Sequence, residues 1–141
     1  MRAGWISNAG GIGLVVAVLT MGGGAPAQEV MGHPEVGEDV FKRCLACHRV
    51  GANARNGVGP VLNGVVGRAA AQYPDYDYSD ELKNAGLTWD TATLMQWVMG
   101  PQALVPETKM VFPGVADEQE AADVVAYLAQ FDENGNVVPT Q

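Results

Sequence analysis

Five consecutive residues, Cys44-Leu45-Ala46-Cys47-His48, constrain the fold more than any other part of the sequence. They form a C-x-x-C-H motif, which is the attachment motif for a c-type haem. In a helical turn the cysteines at i and i+3 share one face, so both thiols can form thioether bonds with the same porphyrin edge. His48 then lies beneath the porphyrin and can offer an imidazole nitrogen to the iron. The sequence therefore predicts one covalently bound haem.

Two other interpretations of the cysteine pair compete with haem attachment. A structural disulfide would join Cys44 to Cys47, and a thiol–disulfide redox centre also has a C-x-x-C spacing. Neither gives a role to the histidine that follows, and no βαβ pattern surrounds the motif. Both are therefore weaker than haem attachment.

The first 27 residues have the pattern of a secretory signal peptide. After Arg2 there is no further charge until Glu29, and an apolar segment leads to Ala25-Pro26-Ala27, which matches an A-x-A cleavage site. An uncleaved membrane anchor is the alternative, but the strongly apolar stretch is shorter than the ~20 residues that a spanning helix needs. We therefore expect cleavage before Gln28, export to the periplasm and no stable membrane insertion afterwards.

Residues 28–141 are predicted to form a single domain. A domain of this size has a thin core, and a bound haem would supply much of the missing apolar surface. The net charge of the full chain is −8, and loss of Arg2 with the signal peptide makes it −9. This acidic balance argues against a nucleic-acid partner.

Hydrophobic periodicity and capping residues predict an all-α domain. Ser79 and Asp90 are placed to cap two helices, and Asp117 and Glu120 are spaced as in a capping box. The predicted helices run from about residue 35 through the haem motif, over 80–85, over 91–99, and from 117 to about 131. Irregular structure is predicted for the segments 28–34, 51–59, 102–115 and 132–141.

One axial ligand leaves a second position on the iron to be filled. A thioether sulfur suits haem iron in an electron-transfer protein, and the candidates outside the signal peptide are Met31, Met95, Met99 and Met110. Met31 lies near the start of the domain, and Met95 and Met99 have the i,i+4 spacing of core residues on a helix. Met110 lies in a loop stiffened by prolines at 106 and 113, so we predict that Met110 is the ligand.

Further landmarks follow the motif in a fixed order, and with them the chain resembles a class I c-type cytochrome, close to bacterial cytochrome c2 and mitochondrial cytochrome c. The resemblance extends from about residue 37 to 131. It implies a small monohaem fold with the N- and C-terminal helices packed together, Gly37 and Phe41 meeting Tyr127 and Leu128. The landmarks are Gly59-Pro60, Gly64-Val65-Val66-Gly67-Arg68, Tyr78, Leu87-Thr88-Trp89, Pro106, Thr108-Lys109-Met110 and the segment 124–128.

The resemblance also implies roles for residues around the haem. Pro60 would offer its carbonyl to the second ring nitrogen of His48, which fixes the orientation of the ring. Thr108 would help to close the loop on the methionine side. The residues implied to approach the haem propionates are Arg68, Tyr78 and Trp89.

Two positions depart from the family pattern. Trp97 stands where the family usually has a tyrosine near the methionine sulfur, and an indole N–H can donate a hydrogen bond but cannot accept one. Leu82 stands where a buried polar residue is common, so the pocket is expected to be drier. Both departures bear on the redox potential rather than on ligation.

The resemblance implies a periplasmic electron carrier rather than an enzyme. A six-coordinate iron has no open position for substrate, so the iron only changes valence. We expect a monomer that takes one electron from a quinol-oxidising complex and passes it to an oxidase or a photosynthetic reaction centre. The alternative is a haem peroxidase, which would require a labile Met110 bond.

The distribution of charge suggests where redox partners dock. No carboxylate occurs between residues 40 and 74, and Lys109 immediately precedes Met110. We therefore expect a cationic ring around the exposed haem edge, facing carboxylates on the partner. The cations expected in this ring are Lys42, Arg43, Arg49, Arg55 and Lys109.

Overall fold

The structure, a computed structural model, describes Gly4 and residues 30–139. Apart from Gly4, the predicted signal peptide and its cleavage site thus lie outside the described residues. The helices are α1 (Pro34–Phe41), α2 (Asp80–Asn84), α3 (Thr91–Met99), α4 (Pro101–Leu104) and α5 (Glu118–Ala129). In the described part of the chain the only β pairing is two isolated bridges, Ala69 with Thr88 and Phe131 with Val137. The all-α prediction is therefore confirmed.

The predicted caps set the starts of three helices. The Ser79 hydroxyl accepts a hydrogen bond from the backbone N–H of Leu82, and the Asp90 carboxylate accepts one from Thr93. The Asp117 carboxylate likewise accepts from the N–H of Glu120, at 2.9 Å. The capping box is only half formed, because the Glu120 carboxylate bonds Arg43 instead of the Asp117 N–H.

α1 ends at Phe41, before the haem motif that it was predicted to include. The chain then tightens into turns in which each N–H bonds the carbonyl three residues back, as Cys44 does with Phe41 at 2.8 Å. The motif nevertheless forms one helical turn of its own. The Cys44 carbonyl accepts from the N–H of Cys47 at 3.0 Å and from that of His48 at 2.9 Å.

Both ends of the described chain are more ordered than the sequence predicts. A Cβ at Gly32 would lie 2.2 Å from the Ala122 carbonyl oxygen, so the segment before α1 packs directly on α5. After α5 the chain folds back, and the N–H of Val138 donates to the Gln130 carbonyl at 2.8 Å. In the same return, Gly135 has a φ of +81° and packs against Gly51. Backbone hydrogen bonds and glycine contacts thus hold these irregular segments on α5 and on the loop at Gly51.

The short helix α4 corrects the prediction that residues 102–115 are irregular throughout. Pro101 occupies the first turn, where its missing N–H costs no hydrogen bond. The Gly100 carbonyl accepts from the N–H groups of Ala103 and Leu104, at 3.0 and 3.2 Å. This single turn precedes the loop that carries Met110.

The crossing of α1 over α5 sets the position of the haem motif. A Cβ at Gly37 would lie 1.9 Å from the Asp123 carbonyl oxygen, so the two backbones meet at a distance that only glycine allows. Phe41 packs against Tyr127 with ring centroids 5.3 Å apart. Because α1 leads directly into the haem motif, this crossing sets the motif against α5, as the resemblance implies.

The apolar stripe of α5 is the floor of the core. Ala121, Val124, Val125 and Leu128 are all buried. Residues of α3 pack above them, and the buried members are Leu94, Trp97 and Val98. Within residues 30–139, no helix is long and apolar enough to cross a membrane.

Replacement of Gly37 by alanine tests the helix crossing. Overpacking costs about 1–3 kcal/mol, whereas alanine in a helix gains ~1 kcal/mol over glycine. The clash is with backbone atoms that no rotamer change relieves. We therefore expect Gly37→Ala to lower the unfolding free energy by about 2 kcal/mol in urea titrations of the haem-loaded protein. The exposed neighbour Glu38→Ala should change it by less than about 0.5 kcal/mol, and equal values for the two variants would contradict the close crossing.

Candidate haem site

One cavity of about 300 Å³ gathers every residue that the sequence predicts for the site. It lies between the C-x-x-C-H turn, α3, α5 and the loop around Met110, and most of its other lining residues are apolar. The predicted residues on its wall are Cys44, Cys47, His48, Pro60, Arg68, Tyr78, Trp89, Trp97, Thr108 and Met110. The fold thus brings together side chains that are up to 66 positions apart, from Cys44 to Met110.

His48 is buried and held by a single hydrogen bond. Its Nδ1 lies 2.8 Å from the Pro60 carbonyl oxygen, so Nδ1 carries the proton and Nε2 keeps a free lone pair. Burial lowers the pKa of His48, with the Pro60 bond acting in the opposite direction. The ring is therefore the neutral imidazole that a metal binds.

Gly59 gives the histidine ring its space. A Cβ at this position would lie 2.4 Å from Cε1 of His48, so no other residue fits without moving the ring. The neighbouring chain is fixed by Asn56, whose side-chain oxygen accepts from the N–H of Val61 at 2.9 Å. The Asn56 amide also donates to the carbonyls of Pro74 and Asp75 at 3.0 and 3.1 Å. Sequence reasoning missed Asn56, because a loop asparagine gives no signal of a partner 18 residues away.

The two cysteines are free thiols, half-buried at the cavity wall. Burial is the largest influence on Cys44 and raises the pKa of its thiol. A raised pKa disfavours the thiolate that thiol–disulfide exchange requires. The environment of Cys44 is thus unlike that of the reactive cysteine in a redox-active C-x-x-C centre.

Met110 is distinguished from the other methionines by its position. Among the methionines of residues 30–139 it alone lines the cavity that holds His48. Met31 is 78% exposed at the surface, and Met99 is partly exposed on α3. Met95 packs against the core from outside the cavity.

The loop around Met110 is held from two sides. Gln102, in α4, donates to the Thr108 carbonyl at 2.7 Å and accepts from the N–H of Glu107 at 3.0 Å. On the other side, Nζ of Lys109 donates to the carboxylate of Asp77 at 2.8 Å and to its carbonyl at 3.1 Å. Sequence reasoning missed Gln102 because α4 itself was not predicted.

A polar group of side chains occupies another part of the wall. The Arg68 guanidinium is partly buried, donates to the Asn63 carbonyl at 2.6 Å and lies 5.1 Å from the centre of the Tyr73 ring. The Tyr78 hydroxyl accepts from the N–H of Tyr73 at 3.3 Å. Burial lowers the pKa of Arg68, although a guanidinium remains charged at neutral pH. A cation and phenols beside a mostly apolar wall suit a ligand that is apolar in its body and carboxylated at one edge.

The two departures from the family pattern both lie on the wall. Trp97 is buried, with its ring centroid 5.1 Å from that of Trp89. Leu82 is buried and also faces the cavity. Trp97 lines the cavity together with Met110, as the sequence predicts, and also packs in the core cluster.

The residues of this cavity fit a covalently attached haem. Two free thiols, a neutral imidazole with an open Nε2 and a thioether share one largely apolar space. This set of groups, next to an N-terminal helix that crosses closely over the C-terminal helix, defines a small c-type haem protein.

Comparison with known proteins gives the same class. The cytochrome c family model matches residues 34–132, which is more than half of the chain. The chain therefore belongs to the cytochrome c family, and its cofactor is a covalent haem c. Proteins of this family take part in electron transport.

Named relatives match over most of their length. The cytochrome c2 of Rhodomicrobium vannielii is 51% identical over 118 residues, covering 84% of this chain and 92% of that protein. The cytochrome c2 of Rhodoblastus acidophilus is 50% identical over 105 residues, covering 74% of this chain and 98% of that protein. Among solved structures, cytochrome c2 from Rhodospirillum Centenum has a TM-score of 0.67 at 43% identity, covering 72% of this chain and 99% of that one.

The contact between Lys109 and Asp77 gives a prediction for the Met110 loop. The hydrogen bond from Lys109 is the main cause that lowers the pKa of Asp77 below its ordinary value of 3.8. The contact therefore stabilises the fold fully above about pH 4 and is lost as the pH falls through the lowered pKa. We expect Asp77→Asn to make the Met110 loop open at lower urea. If Met110 ligates the haem iron, loss of the sulfur-to-iron absorption band of the oxidised protein reports this opening.

A neighbouring carboxylate supplies the control for that experiment. Glu81, in the first turn of α2, pairs with neither Lys83 nor Lys109, so Glu81→Gln should leave the urea midpoint of the band unchanged. The difference in urea midpoint between Asp77→Asn and the unaltered protein should also shrink below pH 4. A difference that persists at lower pH would show that the ion pair is not its cause.

Proposed function

We propose that this protein is an exported one-electron carrier whose haem is attached through Cys44 and Cys47 and ligated by His48 and Met110. The observation that supports this most directly is the cavity that Met110 shares with His48, which the other methionines of residues 30–139 do not line. When bound, the haem supplies an iron that alternates between two valences. The protein residues hold its ligands and exclude water.

Both proposed ligands are held by the chain before any electron moves. The Pro60 carbonyl fixes the ring of His48. Gln102 holds the backbone at Thr108, and Asp77 holds the side chain of Lys109, both just before Met110. Fixed ligands change position little between the two valences and leave no coordination site for a substrate. This arrangement favours electron transfer over the peroxidase alternative, which needs a ligand that leaves readily.

The electron would pass where the cavity reaches the surface. Val58 and Val111 both line the cavity and are 76% and 94% exposed. Two exposed aliphatic side chains at the mouth suit a brief contact with another protein, because they desolvate readily and carry no charge. We propose that redox partners dock at this apolar mouth.

The proposed export and the proposed redox partners rest on the sequence and on the relatives. The signal-peptide pattern of residues 1–27 supports export to the periplasm. The resemblance to cytochrome c2 supports a quinol-oxidising complex as electron donor and an oxidase or photosynthetic reaction centre as acceptor. A carrier that shuttles between such complexes is expected to act as a monomer.

Substitution of Met110 tests the proposed ligand set. In the haem-loaded protein, Met110→Ala should abolish the sulfur-to-iron absorption band at the red end of the oxidised spectrum. It should also lower the midpoint potential, because thioether ligation raises it. Met95→Leu is the matched control, since it removes a thioether that does not line the cavity and should preserve the band. A band that survives in Met110→Ala would rule out Met110 as the ligand.

Export is tested separately. The protein recovered from a secreting host should begin at or near Gln28, as read by N-terminal sequencing and mass. Ala27→Arg should block this cleavage, because the site requires small residues. Recovery of the unaltered chain in membranes with Met1 intact would instead support an anchored carrier.

A further inference from the structure

One residue of the Met110 loop has a backbone conformation that side chains disfavour. Glu107 has a φ of +64°, which lies in the left-handed region that favours glycine. A Cβ atom in this region crowds the carbonyl oxygen that follows it, so the conformation raises the energy of the loop. Glu107 is exposed, and packing around its side chain therefore does not impose the strain.

The side chain of Gln102 holds Glu107 in this conformation. Its Oε1 accepts from the N–H of Glu107 at 3.0 Å, and its Nε2 donates to the Thr108 carbonyl at 2.7 Å. These two bonds from one planar amide group enclose the backbone of Glu107 and Thr108. A rotation about φ of Glu107 would therefore break at least one of them. Gln102 is itself fixed in α4, directly after Pro101.

The strain and the two hydrogen bonds act on Met110 in opposite directions. Met110 follows Glu107 by three residues, and Thr108 between them is buried. The strain at Glu107 favours departure of the loop from the cavity, whereas the bonds from Gln102 keep it closed. Backbone strain persists only where the surrounding structure holds it, and it is concentrated at functional sites.

The ends of the loop are joined separately from this pair. A Cβ at Gly114 would lie 2.0 Å from the Met99 carbonyl oxygen, so the end of the loop packs on the end of α3. The N–H of Val115 also donates to the Val98 carbonyl at 2.9 Å. Neither contact involves Gln102 or Glu107. A change at that pair should therefore alter local opening of the loop rather than unfolding of the whole protein.

We propose that Gln102 and Glu107 form a strained latch that positions Met110, and that the balance between them sets how readily the loop opens. The two are positioning residues, because they act on the iron only through Met110. This inference rests on the proposed ligation by Met110. A small external ligand reaches the iron only while the loop is open, so its apparent affinity reports the open fraction.

Relief of the strain tests the first half of the latch. Imidazole is titrated into the oxidised, haem-loaded protein, and loss of the sulfur-to-iron absorption band is followed. We expect Glu107→Gly to bind imidazole about threefold more weakly, because relief of the strain outweighs the entropy that glycine adds to the open loop. Glu107→Gln removes the charge but keeps a side chain at positive φ, and should bind like the unaltered protein. Unchanged affinity in Glu107→Gly, or equal weakening in Glu107→Gln, would overturn the inference.

Removal of the Gln102 side chain tests the second half. Gln102→Ala loses both hydrogen bonds to the loop, and we expect it to bind imidazole at least about threefold more tightly. Gln96→Ala is the matched control, since Gln96 is an exposed glutamine on α3. It should bind imidazole like the unaltered protein. Equal affinities in the two variants would overturn the inference.

Hydrogen exchange gives a readout without an added ligand. In the reduced protein, Gln102→Ala should speed exchange of the Glu107 N–H at least about threefold and leave the buried amides of α5 unchanged. Equal acceleration of both would mean that global stability has fallen, which overturns the latch. Oxidised protein that lacks the sulfur-to-iron band before imidazole is added would overturn ligation by Met110 as well. A band that imidazole removes with the same affinity from every variant would overturn only the latch.

Discussion

The site depends first on the hydrogen bond between Nδ1 of His48 and the Pro60 carbonyl, 2.8 Å long. This bond selects the tautomer and fixes the plane of the ring, and it forms only because Gly59 leaves room for the ring. The Asn56 side chain bonds Val61, next to Pro60, and ties this segment to the carbonyls of Pro74 and Asp75. The orientation of one imidazole is therefore set by a loop that closes more than ten residues after it.

A close crossing of α1 and α5 brings the haem-attachment turn against the helix that lines the cavity. Gly37 lets α1 approach the backbone of α5, and Arg43 extends the contact to Glu120 just before Cys44. α5 also forms the floor of the cavity, where Val124 and Leu128 lie. The segment that attaches the haem and the helix that supports it are thus joined twice just before the attachment turn.

Sequence reasoning succeeded where the determinants are local. Ser79, Asp90 and Asp117 cap their helices as predicted, because a cap bonds an N–H only three residues away. It missed α4, which is too short to show a periodic pattern, and with it the support that Gln102 gives to the Met110 loop. It also missed partners that are distant in the sequence, such as Glu120, which binds Arg43 from 77 positions away. The resemblance supplied the long-range placement that periodicity cannot, but it did not supply the charges peculiar to this chain.

The returning C-terminal segment has a consequence for the loop beside the haem. Gly135 packs so closely that a Cβ there would lie 2.2 Å from the Gly51 backbone and 2.6 Å from the Asn63 amide. The Asn63 side chain bonds the N–H and the carbonyl of Gly51, and the same carbonyl accepts from the N–H of Ala54, which closes the turn before Arg55. The last turn of the described chain therefore acts as a buttress for a loop more than 80 positions earlier in the sequence. Substitutions in this C-terminal turn should change the shape of the surface beside the haem and leave the haem cavity unchanged.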